Sequence, residues 1–130
     1  FGLEDVSLPY PPGTVRDGLI LHARTGVPLE PEQLIGILSD VRVVYVSESH
    51  DSVSGHAVQA AIIDGLARRR KGRVAVGLEM FPASAQDELD RFSAGEMSPK
   101  EFERLWAAHW NVDIDYYRPV LDVVRKHRLP

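Results

Sequence analysis

Two short runs of β-branched and apolar residues, separated by one amphipathic stretch, constrain this chain most. Val41-Arg-Val-Val-Tyr-Val46 and Val74-Ala-Val-Gly-Leu78 read as strands buried on both faces, the pattern of a parallel sheet. A helix is expected between them from about Gly55 to Arg70, with Val58, Ile62 and Leu66 along one face. Arg68-Arg-Arg-Lys71 closes it, where cations favour the negative end of the helix dipole, and Gly72 stops it. Strand, helix and strand in such close succession define a right-handed βαβ unit with adjacent parallel strands. The expected fold class is therefore α/β: a three-layer αβα arrangement with a mainly parallel sheet.

The flanking segments add a hairpin and more helices. Residues 1–17, with Pro9, Pro11 and Pro12, read as an extended arm. Gly18-Leu-Ile-Leu-His22 and Val27-Pro-Leu29, around Arg24-Thr-Gly26, predict a small β-hairpin at the start of a domain spanning 18–130. Glu30-Pro31 starts a helix carrying Leu34, Ile35 and Leu38. Ser84 and Asp87 are expected to cap a helix through Leu89 and Phe92. Ser98-Pro-Lys-Glu101 is a capping box ahead of a helix from Phe102 to Trp110, and a last helix is expected from about Ile114 to His127. Arg128-Leu-Pro130 looks like the lead-in to another strand, so the sheet is expected to be incomplete.

Composition narrows the function classes. Fifteen Lys+Arg against 19 Asp+Glu give a net charge of -4, without the basic footprint of a nucleic-acid binder. No cysteine is present, which removes disulfides, thiolate ligands and a cysteine nucleophile. No apolar run approaches the ~20 residues that span a bilayer. There is no GxxxxGK[ST], GxGxxG or GxSxG, which argues against phosphate-loop chemistry and a serine-hydrolase elbow.

Ligands of open parallel sheets meet the carboxyl ends of the strands. The two runs end in Ser47-Glu48-Ser49-His50-Asp51 and in Glu79-Met80-Phe81, so Glu48, His50 and Glu79 are expected to converge on one pocket. Two carboxylates and an imidazole suit proton transfer, with one carboxyl expected to titrate high, and equally suit a divalent cation. His56, one turn into the following helix, can face the same pocket with Gln59 beside it. Met80-Phe81 reads as a roof over the core. Trp106, Trp110, Tyr116 and Tyr117 read as helix-packing aromatics, although a tyrosine or His109 can also ligate haem iron.

The string Val43-Val-Tyr-Val-Ser-Glu-Ser-His-Asp51, then His56, Gln59, Gly77-Leu-Glu-Met-Phe81, Gln86 and Leu89-Asp90 resembles the ChaN-like haem-binding uptake family. That family shares a superfamily with erythromycin esterases and the TraB/Tiki proteins, built around a Gly-Glu-x-His motif. The similarity extends from about Gly18 to the C-terminus and includes Gly95, Trp110 and Tyr117-x-Pro119. Ser47 stands where the family usually has glycine, so the pocket floor is expected to differ.

The resemblance implies the first part of a longer domain, which binds haem or another small ligand in iron uptake at the bacterial cell envelope, in the periplasm or at the outer membrane. Membrane association would then be peripheral, through a lipid anchor outside this segment. It also implies haem as cofactor, with His56 and Tyr117 as candidate haem-binding residues. The alternative is a hydrolase with His50 as general base assisted by Glu48 and Glu79, with or without a divalent metal on the same three residues. A third reading is a partner-binding module without activity. Unpaired strand edges further predict homo-oligomerisation or association with the rest of the domain.

Overall fold

The computed structural model describes residues 18–130, so the arm expected over 1–17 lies outside the described residues. The elements follow as β1 (Ile20–His22), β2 (Val27–Leu29), α1 (Pro31–Leu38), α2 (Val53–Arg69), α3 (Gln86–Ala94), α4 (Pro99–His109) and α5 (Arg118–His127). Single 3-10 turns precede α3 at Ala83–Ala85 and α5 at Ile114–Tyr116.

Local signals set most of these boundaries. Strands β1 and β2 form the expected antiparallel hairpin, with Leu21 opposite Pro28. Helix α2 begins two residues before the expected start, because the Ser52 hydroxyl accepts from the Gly55 N–H. Helix α4 starts at the expected capping box: Ser98 accepts from the Glu101 N–H while Glu101 accepts from the Ser98 N–H. Gly95, at φ 82°, ends α3 in the left-handed conformation, and the Glu96 N–H reaches back to the Arg91 carbonyl. The last helix was expected from Ile114. It starts at Arg118 instead, after a 3-10 turn capped by Asp113, and takes Pro119 into its first turn.

The sheet departs from expectation. Among the described residues the only ladder is the two-stranded hairpin. Segments 41–47 and 74–79 carry no strand assignment, and both line one open groove of about 650 Å3. The space that a parallel ladder would close therefore stays open. Within 74–78 one backbone bond is made outward, from the Val76 N–H to the Pro130 carbonyl, and the Val46 carbonyl takes the Gln59 side chain in place of a strand partner. Burial on both faces is corrected as well. Val74, Val76 and Leu78 are half-buried while Ala75, Gly77 and Glu79 are exposed, an alternation that buries one face only. Val43 is 63% exposed, Tyr45 94%, and Val58 is also open to solvent. β-branched residues signal a fit to neighbouring side chains, and no neighbouring strand covers these. What is observed is a mixed, helix-rich α and β chain.

The core lies among α2, α3, α4 and α5. Phe92 stacks on Phe102 at 3.7 Å between centroids, and Trp106 packs on Tyr117 at 5.0 Å. Leu121, Val124 and Leu129 complete the buried cluster, with Met80 and Phe81 against it as the expected roof. Helix α1 approaches α2 closely at Gly65, where an added Cβ would come within 2.8 Å of the Ile35 side chain. None of the described helices is long and apolar enough to cross a membrane.

A charge cluster ties α2 to α5. The Asp64 carboxylate accepts from Lys126 Nζ at 2.8 Å and His127 Nε2 at 2.7 Å, with Arg68 2.9 Å away. The donors Lys126 and His127, together with the Arg68 charge, outweigh partial burial and hold its pKa at about 2 against an ordinary 3.8. A carboxyl with a depressed folded-state pKa stabilises the fold fully above its unfolded value, and that contribution fades as pH falls from about 4 to about 2. Asp64→Asn is expected to cost about 1–2 kcal/mol near neutral pH and to flatten the stability profile across that acid window. Urea unfolding at a series of pH values measures both; a variant equal to the parent at every pH would contradict the role of the cluster.

Candidate functional site: a glutamate-centred cluster

Glu48 and His50 lie in the link between segment 41–47 and α2, and Glu79 follows segment 74–78. The three sequence candidates meet: one ligand atom from each lies within 4.8 Å of the others. His50 Nδ1 is 2.7 Å from Glu48 Oε1, and His50 Nε2 is 3.7 Å from Glu79 Oε1. Glu48 is nearly covered, with a side chain 9% exposed, while His50 is 47% and Glu79 63% exposed. The cluster is thus a buried anchor carrying two accessible groups.

Glu48 is the hub. Its Oε1 also accepts from the Tyr117 O–H at 2.9 Å, and His56 Nε2 stands 2.9 Å from its Oε2. Burial alone would raise the Glu48 carboxyl, but donation by His50 and Tyr117 and the charges of His56 and His50 bring it below the usual carboxylate range. The expectation of a carboxyl pushed upward is therefore reversed at Glu48. Acid–acid repulsion does not dominate, because nitrogen and hydroxyl donors surround this carboxylate and Glu79 meets His50 instead.

An ionised carboxylate only accepts hydrogen bonds, so the proton of a neutral His50 sits on Nδ1. The Nε2 lone pair is then left on the side of the exposed Glu79. This is the arrangement by which a carboxylate orients a metal-ligating histidine and raises its basicity. The Trp110 ring stands edge-on to His50 at 5.1 Å.

The remaining candidates occupy other places. His56 is 0% exposed, wedged against the Tyr117 ring at 4.1 Å and turned toward Glu48. Tyr117 is equally enclosed, and its hydroxyl is taken by Glu48 and His50. Burial first, then the bond and charge of Glu48 and the charge of Glu79, push the Tyr117 phenol well above its usual range, so it stays protonated. His109 is exposed and packs edge-on to Phe81 on the core roof. Gln59 binds the Val46 carbonyl. Sequence spacing gave no signal for Tyr117 as a donor to Glu48, since the two lie 69 positions apart.

The groove is lined by Val46, two positions before Glu48, and Leu78, one before Glu79, but by none of the three cluster residues.

The geometry defines a helix-rich α and β chain with a histidine backed by a carboxylate, in a three-residue group that could hold a metal ion. More narrowly, the chain belongs to the haem-binding uptake family, ChaN, of the Tiki superfamily, whose model matches residues 34–130. The match covers the whole cluster and leaves the β1–β2 hairpin outside it. No curated protein and no solved structure matches the chain.

Proposed function

We propose that the chain binds haem in an iron-uptake role and that His50 Nε2 is the group that meets the iron. The observation that carries this reading is the division of labour on one imidazole: Nδ1 tied to Glu48 at 2.7 Å, Nε2 facing the exposed Glu79 at 3.7 Å on a ring that is 47% exposed. Family membership supports haem as the ligand. The residues suit the group, since an accessible imidazole with a carboxylate behind it is a common iron ligand, and Trp110 offers apolar surface beside it. When bound, haem would supply the iron; the chain supplies orientation through Glu48 and a protonated Tyr117 behind it. His56 and Tyr117 are too enclosed to reach an iron without displacing Glu48, so their part is support. Titration with haemin is expected to shift the Soret band and saturate at about one equivalent. An unshifted spectrum at micromolar protein would contradict the reading.

A second reading is favoured by Glu79, whose oxygen lies 3.7 Å from His50 Nε2. Glu48, His50 and Glu79 form an oxygen–nitrogen–oxygen set for a divalent cation, with His50 in reach of a water as general base for hydrolysis. Metal analysis after dialysis against zinc or manganese, with an esterase and peptidase panel, separates this from haem binding.

The surroundings of this site complete the proposal. We place the protein at the bacterial cell envelope, on the family's uptake role alone. Segments 41–47 and 74–79 are proposed as neighbouring strands of a parallel sheet in a three-layer αβα arrangement, paired fully only on association. The exposed Val43 and Tyr45 support this, because unpaired apolar strand surface recruits other chains. Light scattering at micromolar concentration is expected to give a mass above that of the monomer; a monomer at all concentrations would contradict it.

A further inference from the structure

We propose that His56 is the positioning residue of this site: it holds one oxygen of Glu48, so the other serves His50 and the lone pair of His50 stays on Nε2. The inference rests on the reading of His50 given above and extends it to a residue that meets neither ligand nor solvent.

His56 sits in the first turn of α2, which Ser52 caps, so its backbone is fixed. Its ring is fully enclosed between Tyr117, at 4.1 Å, and Tyr116, at 6.4 Å. Among the described residues neither ring nitrogen of His56, nor Glu48 Oε2, makes a hydrogen bond of good geometry. A buried imidazole without a well-formed hydrogen bond costs free energy that a phenylalanine or leucine in the same space would avoid. What it makes in return is the contact of Nε2 with Glu48 Oε2 at 2.9 Å, off the ideal hydrogen-bonding line. A nitrogen lone pair at that distance from a carboxylate would be repelled, so the proton of His56 lies on Nε2. Oε2 thus faces His56 at close range, and the donors His50 and Tyr117 share Oε1. Without His56 the carboxylate is free to turn, and His50 loses the fixed acceptor that keeps its proton on Nδ1. Packing alone explains the burial of His56; it does not explain an imidazole aimed at the one carboxylate that orients His50.

The test compares ring nitrogen-15 shifts in the parent chain, His56→Leu and His56→Gln, alongside haemin titrations. In the parent, His56 is expected to be protonated on Nε2 and His50 on Nδ1. His56→Leu should convert His50 to a mixture of tautomers and weaken haemin about 10–100-fold, while His56→Gln, whose amide can still donate to Oε2, should restore the parent pattern. A His50 tautomer unchanged in His56→Leu would overturn the proposal. If His56→Leu does not fold, a parent His56 found bare at Nε2, or a His56→Gln variant with a mixed His50, overturns it as well. Failure of the parent to bind haemin strikes the haem reading alone, and the tautomer comparison still decides the role of His56.

Discussion

Replacing His50 by alanine is expected to lower the affinity for haemin by more than about 100-fold while changing folding stability by less than about 1 kcal/mol. The lower bound follows from metal sites in general, where removing only the partner that orients a ligating histidine costs about 10–100-fold; removing the ligand itself must cost more. The small effect on folding follows from exposure. His50 is 47% exposed, and Glu48 keeps the Tyr117 hydroxyl and His56 when the imidazole is lost. Tyr117→Phe leaves the imidazole in place and is expected to weaken haemin less than His50→Ala does, since it removes only one donor to Glu48. Parallel haemin titrations and urea melts of the two variants measure both quantities, and a His50→Ala chain that binds haemin as the parent does would remove His50 from the site.

The largest effect on stability is expected at Trp106. Its ring is buried among Phe81, Phe102 and Tyr117, and its Nε1–H donates to the Val112 carbonyl at 2.7 Å. Truncation to alanine removes a large apolar contact and leaves a cavity, a change that costs about 3–5 kcal/mol in well-packed cores. Trp106→Phe keeps most of the packing and drops the hydrogen bond, so about 1–3 kcal/mol is expected. Because Trp106 supports the Tyr117 ring and Tyr117 bonds Glu48, the alanine variant should also weaken haemin, although it touches none of the cluster. Chemical denaturation gives the first number. A loss below about 1 kcal/mol for Trp106→Ala would show that the helical core is not organised around this ring.

The helices and the cluster were legible in the sequence for different reasons. The Ser98–Glu101 capping box and the Gly95 stop act within one turn, so the chain itself carries them. Glu48 and His50 are two residues apart and Glu79 follows the second apolar run; reading both runs as parallel strands placed the three together, and they do meet although no ladder joins the runs. The parallel sheet was read from β-branched runs, but a strand depends on partners elsewhere; with the groove open, Val43 and Tyr45 face solvent and no ladder forms. Which carboxyl would be held down was not legible, because two carboxylates were weighed against each other, whereas His50, Tyr117 and His56 together outweigh burial at Glu48. Nor did any spacing rule join Asp64 to Lys126 and His127 across 62 and 63 positions.

The central claim is that His50, backed by Glu48, meets haem iron, while Tyr117 stays a protonated support. Electron paramagnetic resonance and optical spectra of the haemin complex test it most directly, recorded for the parent, His50→Ala and Tyr117→Phe. The account predicts a nitrogen-donor signature in the parent that survives in Tyr117→Phe and is lost in His50→Ala. A phenolate-to-iron charge-transfer band in the parent, abolished by Tyr117→Phe and retained in His50→Ala, would contradict it.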